Sequence, residues 1–398
     1  MYILCTNGSP TVDTLDHLQS LPLCIDYWDE TAAPATISEQ DELAIRHALL
    51  LRDRVRHISL HLPPSMLQKH LKDIDKKPFS ILESLSLSYS TEEDVNLVLP
   101  KTFHASNLLY LSLHIDLPKR LRFLSSTVSL VTLDLKIVRA SSYFLPKILV
   151  ARLRFLPQLE ELFIWFSIPI PRPSAERELL DRGGTSVTLP NLKYFWFRGV
   201  SAYMECLIAQ IKAPRLERLF IHLFNQIAFA LPHLSRFINT TEALELSTAT
   251  VFFDNEEFII TDRKAYGGPT KFTLRVMCKD LDWQIDSASQ ICSALMSTLS
   301  GVQTLKLYHK GPMITTWRNG MIDGTTWHEL LRPFMFVNEL RICDELSEEL
   351  SRALQVDEVG LDPGMLPGLQ EIVIQFNEAL FGSFIHARQV AGRPVRLR

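Results

Sequence analysis

The chain repeats a short apolar pattern, L-x-x-L-x-L, in which aliphatic residues take the first, fourth and sixth positions. The clear copies are Leu82–Leu87, Leu108–Leu113, Leu130–Leu135, Leu159–Ile164, Leu216–Ile221, Val302–Leu307, Val337–Ile342 and Leu369–Ile374. Looser copies are Val55–Leu60, Leu192–Phe197, Thr241–Leu246 and Lys271–Val276. Recurrence at this spacing is typical of leucine-rich repeats. The sequence therefore predicts an α/β leucine-rich-repeat solenoid, a horseshoe of about 12–13 irregular repeats.

The period of two within each copy predicts a strand whose side chains alternate between two faces. Positions 4 and 6 then point into the core, and positions 3, 5 and 7 point outward. Strands from successive repeats should form a parallel sheet on the concave face, with helices on the convex face. Helices are predicted at 142–156, 201–212, 287–299 and 347–355.

The first part of the chain has a different organisation. Residues 21–27 alternate and predict a strand, and Ser38 with Asp41 predicts a capped helix that ends near Asp53. We therefore expect an N-terminal strand and capping helix in 1–54 and the solenoid in 55–398. Two insertions interrupt the repeats, a predicted long loop near 169–188 and a predicted hairpin near 251–268.

Composition restricts the possible partners. The chain has 398 residues, 46% of them hydrophobic, and a net charge of −4, which is typical of a folded protein and unfavourable for nucleic-acid binding. The first residues lack the pattern of a secretory signal, and the sequence lacks an apolar run long enough for a membrane span. We expect a cytoplasmic or nuclear protein with no nucleic-acid or membrane partner and with reduced cysteines.

The sequence contains no phosphate-binding glycine loop, zinc-protease motif or hydrolase serine motif, so we expect no enzyme, no cofactor and no metal. Two weaker alternatives remain. His57 and His61 lie on the same face of one predicted strand, where two imidazoles can contact one metal ion. Asp280, Asp282 and Asp286 surround Trp283, and there a solvated turn is the simpler interpretation.

Aromatic side chains are concentrated at the outward positions of three consecutive predicted strands. The candidate protein-binding residues are Phe163, Trp165, Tyr194, Trp196, Arg198, Phe220 and His222. Exposed aromatic residues with arginine nearby are typical of interaction hot spots. Two alternatives stay open: the 169–188 insertion folds over these residues as a second core, or a register slip of one residue turns them inward.

The C-terminal half carries more specific motifs. They are Leu281–Gln284, Gln290–Ser293, Val302–Leu307, Trp327–Phe334, Leu366–Glu371 and Gly392–Val395, and Leu21–Tyr27 and Arg52–Ile58 precede them. In this order they resemble the fungal, mainly mushroom-type, F-box proteins with irregular leucine-rich repeats, over residues 20–398. The resemblance implies that the repeats present a protein target on the concave face.

In that family, an N-terminal F-box docks on the adaptor of a cullin ubiquitin ligase. This sequence has no Leu-Pro-x-Glu start or helical trio before Leu21. We therefore expect the substrate-recognition part without the F-box, and adaptor binding only if an F-box is supplied. A truncated F-box gene product and a stand-alone repeat scaffold unconnected to ubiquitination are the alternatives.

Overall fold

The structure is a computed structural model. It describes residues 3–5, 12–17, 20–28, 38–74, 78–89, 103–115, 117, 121–169, 186–262, 270–310, 324–354, 365–374 and 378–398. Among these residues, no helix has both the length and the apolar character that crossing a bilayer requires.

The strands are β1 (Ile3–Cys5), β2 (Leu23–Trp28), β3 (Val55–His61), β4 (Ser84–Ser88), β5 (Tyr110–His114), β6 (Thr132–Ile137), β7 (Glu161–Phe166), β8 (Val187–Thr188), β9 (Tyr194–Gly199), β10 (Ile211–Lys212), β11 (Arg218–Leu223), β12 (Thr248–Asp254), β13 (Glu257–Thr261), β14 (Phe272–Met277), β15 (Thr304–Lys310), β16 (Glu339–Ile342), β17 (Glu371–Val373) and β18 (Arg396–Leu397). The α-helices are α1 (Val12–His17), α2 (Glu39–Leu50), α3 (Pro64–Ile74), α4 (Pro146–Leu153), α5 (Ser201–Ile208), α6 (Pro232–Asn239), α7 (Leu281–Ala294), α8 (Met296–Leu299), α9 (Gly324–Leu331), α10 (Asp344–Leu354) and α11 (Gly382–Val390). Short 3-10 helices span Arg122–Ser126, Ala140–Ser142, Glu242–Leu244 and Glu378–Phe381.

The chain divides into two compact units. Unit 1 comprises residues 1–196 and 210–215, and unit 2 comprises residues 197–209 and 216–398. The boundary falls within β9, so Tyr194 and Trp196 belong to unit 1 and Arg198 to unit 2. The predicted boundary near residue 55 stays a prediction.

Unit 1 contains a parallel sheet with one strand per repeat. Strands β1 to β7 lie side by side in chain order, each parallel to the next. A second, two-stranded parallel sheet pairs β8 with β10. The predicted parallel arrangement of the repeats is therefore confirmed in this unit.

Unit 2 departs from chain order. Its strands lie in the order β11, β14, β13, β12, β15, β16, β17 and β18, and β13 runs antiparallel to both of its neighbours. The other pairs in this series are parallel. The predicted hairpin forms as β12 and β13, and together with β14 it makes a three-stranded meander within a parallel sheet.

The strand expected at Thr241–Leu246 was a wrong prediction. This segment holds the 3-10 helix Glu242–Leu244, and the strand of this repeat begins only at Thr248. Leu244 and Leu246 are still buried, which explains why the apolar pattern resembles that of the strands. Thr241 closes a turn by accepting a bond from the Leu244 N–H at 2.9 Å, which ends the extended backbone there.

The apolar positions of the repeats form the core. Leu82, Leu85 and Leu87 have no exposed surface, and the same positions are buried along the other repeats except at Lys271, which is exposed. Burying one such side chain contributes roughly 1.5–3 kcal/mol, so each repeat is held mainly by its three pattern positions.

A repeated backbone contact connects several of the strands to the preceding strand in the sheet. The Glu83 carbonyl accepts bonds from the N–H groups of Leu109 and Tyr110 at 2.8 and 2.9 Å. The carbonyls of Leu109, Val131, Glu160, Ser247, Gln303 and Asn338 accept the equivalent pairs from the next strand in the sheet. These bonds satisfy backbone N–H groups at the start of those strands.

The helix predictions are confirmed in position and corrected at their ends. Helix α2 begins after Ser38, whose hydroxyl accepts the Asp41 N–H at 3.0 Å, and ends at Leu50 rather than near Asp53. The helix expected at 287–299 starts earlier, at Leu281, because Leu281 and Ile285 are already buried one turn apart. The others occur as α4, α5 and α10.

A buried carboxylate in unit 2 joins two consecutive helices. Glu205 on α5 accepts the N–H groups of His233 and Leu234, at 2.8 and 2.9 Å, at the start of α6. These bonds satisfy two N–H groups that have no partner within the helix. Burial nevertheless dominates and raises the pKa of Glu205 to about 7, although both backbone bonds act to lower it.

We expect Glu205→Gln to remove one component of the pH dependence of stability. Because the folded-state pKa of Glu205 is raised, its contribution to the free energy of unfolding is largest below about pH 4.5 and is lost as the pH rises toward 7. The melting temperature of Glu205→Gln relative to wild type should therefore increase between pH 5 and pH 8. The exposed Glu217→Gln is the matched control, and parallel curves for wild type and Glu205→Gln would contradict the expectation.

Candidate functional site

One face of the sheet in each unit, called here the open face, carries pattern positions 3, 5 and 7. In β7, Leu162, Ile164 and Phe166 are fully buried, whereas Phe163 and Trp165 are half-buried. Strands β9 and β11 show the same alternation. The predicted register is therefore correct, and the alternative of a one-residue slip is excluded for these strands.

Four candidate residues come together on the open face of unit 1. The rings of Phe163 and Tyr194 have centroids 5.3 Å apart, and those of Trp165 and Trp196 have centroids 4.8 Å apart. The Lys136 ammonium lies 5.2 Å from the centroid of the Trp165 ring, within the range of a cation–π contact. We call Phe163, Trp165, Tyr194 and Trp196 the aromatic patch.

The aromatic patch combines a large apolar area with polar edges. Its four side chains are all half-buried, and Tyr194 and Trp196 contribute polar O–H and N–H groups. The alternative that the insertion at 169–188 covers the patch concerns residues 170–185, which lie outside the described residues. The insertion ends in a short strand, β8, rather than in a loop.

The other three candidates lie in unit 2 within a charged cluster. The Arg275 guanidinium lies 5.3 Å from the Phe220 ring centroid and pairs with Glu257 at 2.9 Å. The Arg198 guanidinium lies 5.5 Å from the Phe224 ring centroid. Sequence reasoning missed Glu257 because it lies on the antiparallel strand β13, outside the repeat pattern.

His222 is neutral at physiological pH within this cluster. Burial lowers its pKa to about 4, and the nearby guanidinium groups of Arg198 and Arg275 act in the same direction. Its Nε2 lies 3.8 Å from a Glu257 carboxylate oxygen. A neutral imidazole forms no ion pair at that distance, so Glu257 acts mainly as the partner of Arg275.

A cleft of about 430 Å³ opens beside this cluster. It is lined by His222, Asp254, Asn255, Glu256, Glu257 and Met277. Its carboxylates form no metal-binding group, and no set of three or more potential ligands occurs within the described part of the chain.

A serine, a histidine and an aspartate meet on the open face of unit 1. Ser112 donates its hydroxyl to Asp134 at 2.9 Å, and the His114 Nε2 lies 3.0 Å from the same Asp134 oxygen. In a nucleophile relay, the histidine lies between the other two groups and uses a different nitrogen for each. Here the serine hydroxyl is bound directly to the carboxylate, so the arrangement does not activate Ser112.

The weaker candidates from the sequence form contacts within and between secondary-structure elements. The His61 Nδ1 lies 2.7 Å from the Ser88 hydroxyl on the next strand. Asp286 accepts a bond from Gln290 at 3.0 Å along α7, and Trp283 is 48% exposed there. The predicted solvated turn is instead the first part of α7, because Asp280 is the N-cap residue of the helix and Asp282 and Asp286 lie within it.

The meander adds an apolar group that the sequence pattern did not reveal. Phe252 lies in register with Ile259 on one side and Tyr308 on the other, and all three are half-buried on the open face of unit 2. Phe252 and Ile259 could have been found from the alternation within 248–261, once both strands of the hairpin were placed in the sheet.

No protein-family model matches the chain, and no curated protein matches it. Among solved structures, TLR13 in the TLR13–ssRNA13 complex aligns over 96% of this chain and 48% of its own length, with 12% identity and a TM-score of 0.32. The chain thus spans about half of that protein. The leucine-rich repeat-containing protein LegL7 from Legionella pneumophila aligns over 100% of this chain and 99% of its own, with 11% identity and a TM-score of 0.28.

These similarities carry no argument about function. The repeat architecture rests on the strands themselves: in each unit the L-x-x-L-x-L segments pair in a sheet with helices between them. Each unit thus has the α/β architecture of a leucine-rich-repeat protein.

We expect Arg275→Gln to raise the pKa of His222 from about 4 toward the ordinary histidine value of 6.5. The substitution removes a nearby positive charge and leaves the Glu257 carboxylate without its arginine, and both changes favour the imidazolium. A pH titration of the His222 ring by NMR measures the shift. The exposed Arg218→Gln is the control, and an unchanged His222 midpoint in Arg275→Gln would disprove the assignment of cause.

Proposed function

We propose that the protein is a non-enzymatic protein-recognition module. The observation that carries the proposal is the aromatic patch, in which Phe163, Trp165, Tyr194 and Trp196 share one sheet face as two ring pairs. Aromatic anchors of this kind dominate the energy of protein interfaces, because each has a large contact area and few rotatable bonds.

The direction of the patch side chains supports binding. They alternate with fully buried residues such as Phe195 and lie on the face of the sheet opposite to those residues. Rigid strands hold the rings in place, which lowers the entropy lost when a partner binds.

A finer proposal follows from the resemblance to F-box proteins. We propose that the module serves as the substrate-binding part of a ubiquitin-ligase subunit, with the captured protein as the substrate. A stand-alone recognition scaffold is the other outcome of the test. Affinity capture from native cell extract with mass spectrometry separates the two. Recovery of a ligase adaptor and a cullin supports the first and means that an element other than an F-box docks the chain, whereas capture of other proteins without them supports the stand-alone scaffold.

We expect Trp196→Ala to weaken partner capture and to leave folding nearly intact. Loss of one hot-spot anchor costs about 2 kcal/mol or more, which corresponds to about thirtyfold in affinity. The matched control is Phe195→Ala on the same strand, where a fully buried ring is removed at a cost of about 3–5 kcal/mol of stability. Quantitative capture and thermal unfolding give both values.

Two outcomes would contradict the proposal. A drop in melting temperature for Trp196→Ala as large as that for Phe195→Ala would assign Trp196 to the core. If folded Trp196→Ala protein captured every partner as well as wild type does, the aromatic patch would not be part of the interface. Phe336→Ala, at an aromatic residue that is 68% exposed, shows whether loss of any surface ring has the same effect.

A further inference from the structure

The open face of unit 2 carries three cations near the apolar group of the meander. Arg275 lies on β14, Lys306 on β15 and Arg341 on β16. Lys306 and Arg341 are direct register partners on adjacent strands, and Lys306 is in turn the partner of Thr250. The sequence places these residues far apart, and only the parallel pairing brings the last two together.

Among the described residues beside these three cations, two carboxylates face them, and Asp254 lies on the same face of β12, four residues from Thr250. Arg275 pairs with Glu257, and Arg341 engages Glu339 through its Nε. Lys306 shares the vicinity of Glu339 with Arg341, so two cations face one carboxylate there. The next acid along, Glu371, lies 3.7 Å from Arg398. This local excess of positive charge contrasts with the chain as a whole, whose net charge is −4.

Lys306 is held in an unfavourable environment. The residue is only 7% exposed. Burial lowers the pKa of its ammonium group, and the neighbouring Arg341 lowers it further, while Glu339 acts in the opposite direction. An incoming anion would offset the repulsion between Lys306 and Arg341, because it adds a negative charge beside the two cations.

An apolar surface lies between the separated cations. Going from β14 to β15 crosses β13 and β12, a distance of about 14 Å at the usual strand spacing. Ile259 and Phe252 occupy this interval, and Tyr308 lies beside Phe252 on β15. Across the strands, this face therefore carries first Arg275, then the apolar residues Ile259 and Phe252, and then the pair Lys306 and Arg341.

We propose that the open face of unit 2 binds an extended acidic segment of a partner protein, with a carboxylate between Lys306 and Arg341 and an apolar side chain on Phe252 and Ile259. The inference rests on the proposed recognition function and names the chemistry of its partner. Lys306 is also displaced by two residues along the strand from the row that contains Arg275, Ile259 and Phe252, so the two cations are about 16 Å apart. An extended chain advances about 3.3 Å per residue, so two acidic residues about five positions apart span the cations. Glu257 and Glu339 disfavour a nucleic acid, whose phosphates are continuous.

The test uses the full chain and short fluorescein-labelled peptides, with fluorescence anisotropy as the readout. The first peptide carries two glutamates about five residues apart with leucine between them, as the spacing requires. The second replaces both glutamates by glutamine, and the third replaces them by lysine. An oligouridylate of the same length tests the nucleic-acid alternative.

We expect only the acidic peptide to bind, and we expect its affinity to fall when salt rises from about 0.05 to about 0.3 M. Lys306→Met and Arg341→Met should each weaken binding about tenfold, as the loss of a charge-assisted contact predicts. Lys306→Arg should retain binding. Arg332→Met, at an exposed cation after α9, is the control and should bind as wild type.

Equal binding of the glutamate and glutamine peptides would overturn the proposal, and so would tighter binding of the oligouridylate. Unchanged affinity in both Lys306→Met and Arg341→Met, with melting temperatures near that of wild type, would also overturn it. No binding of any peptide, while protein capture still depends on Trp196, would overturn this inference alone. If capture is also independent of Trp196, the proposed function fails separately.

Discussion

The backbone contact between successive strands determines which side chains lie on the open faces. One carbonyl, such as that of Glu83, accepts two N–H groups from the strand that follows. This contact fixes the register of the pairs in which it occurs, and a shift by one residue would exchange the buried and outward side chains. The aromatic patch and the Lys306–Arg341 pair exist as surfaces only because this register is maintained across each sheet.

The apolar pattern was sufficient to predict the repeat class, the parallel pairing in unit 1 and the outward direction of Phe163 and Trp165. A period of two determines which side chains are buried, and that rule needs no knowledge of distant contacts. The same rule failed at Thr241–Leu246, because leucines buried on either side of a 3-10 turn imitate a strand. A local pattern does not distinguish the two when the competing turn also buries its apolar residues.

The sequence did not predict the charged part of the candidate surface, and the reason is different. Arg198, Phe220 and His222 were identified individually, but Glu257 and Ile259 enter the same face through a strand that runs in the opposite direction. Strand order in a sheet depends on long-range pairing. The repeat pattern predicts a strand order that follows the chain, and here it does not. The lowered pKa of His222 results from neighbouring residues that the sequence pattern did not predict.

The meander also has a consequence for how unit 2 acquires its structure. Every parallel pair in the sheet needs a crossover connection before its two strands can meet, whereas β12, β13 and β14 pair with immediate neighbours in the chain. Contacts between residues close in sequence form faster, since a shorter loop must be closed. The meander is therefore suited to form early as a template, with β11 adding to one edge and β15 to the other.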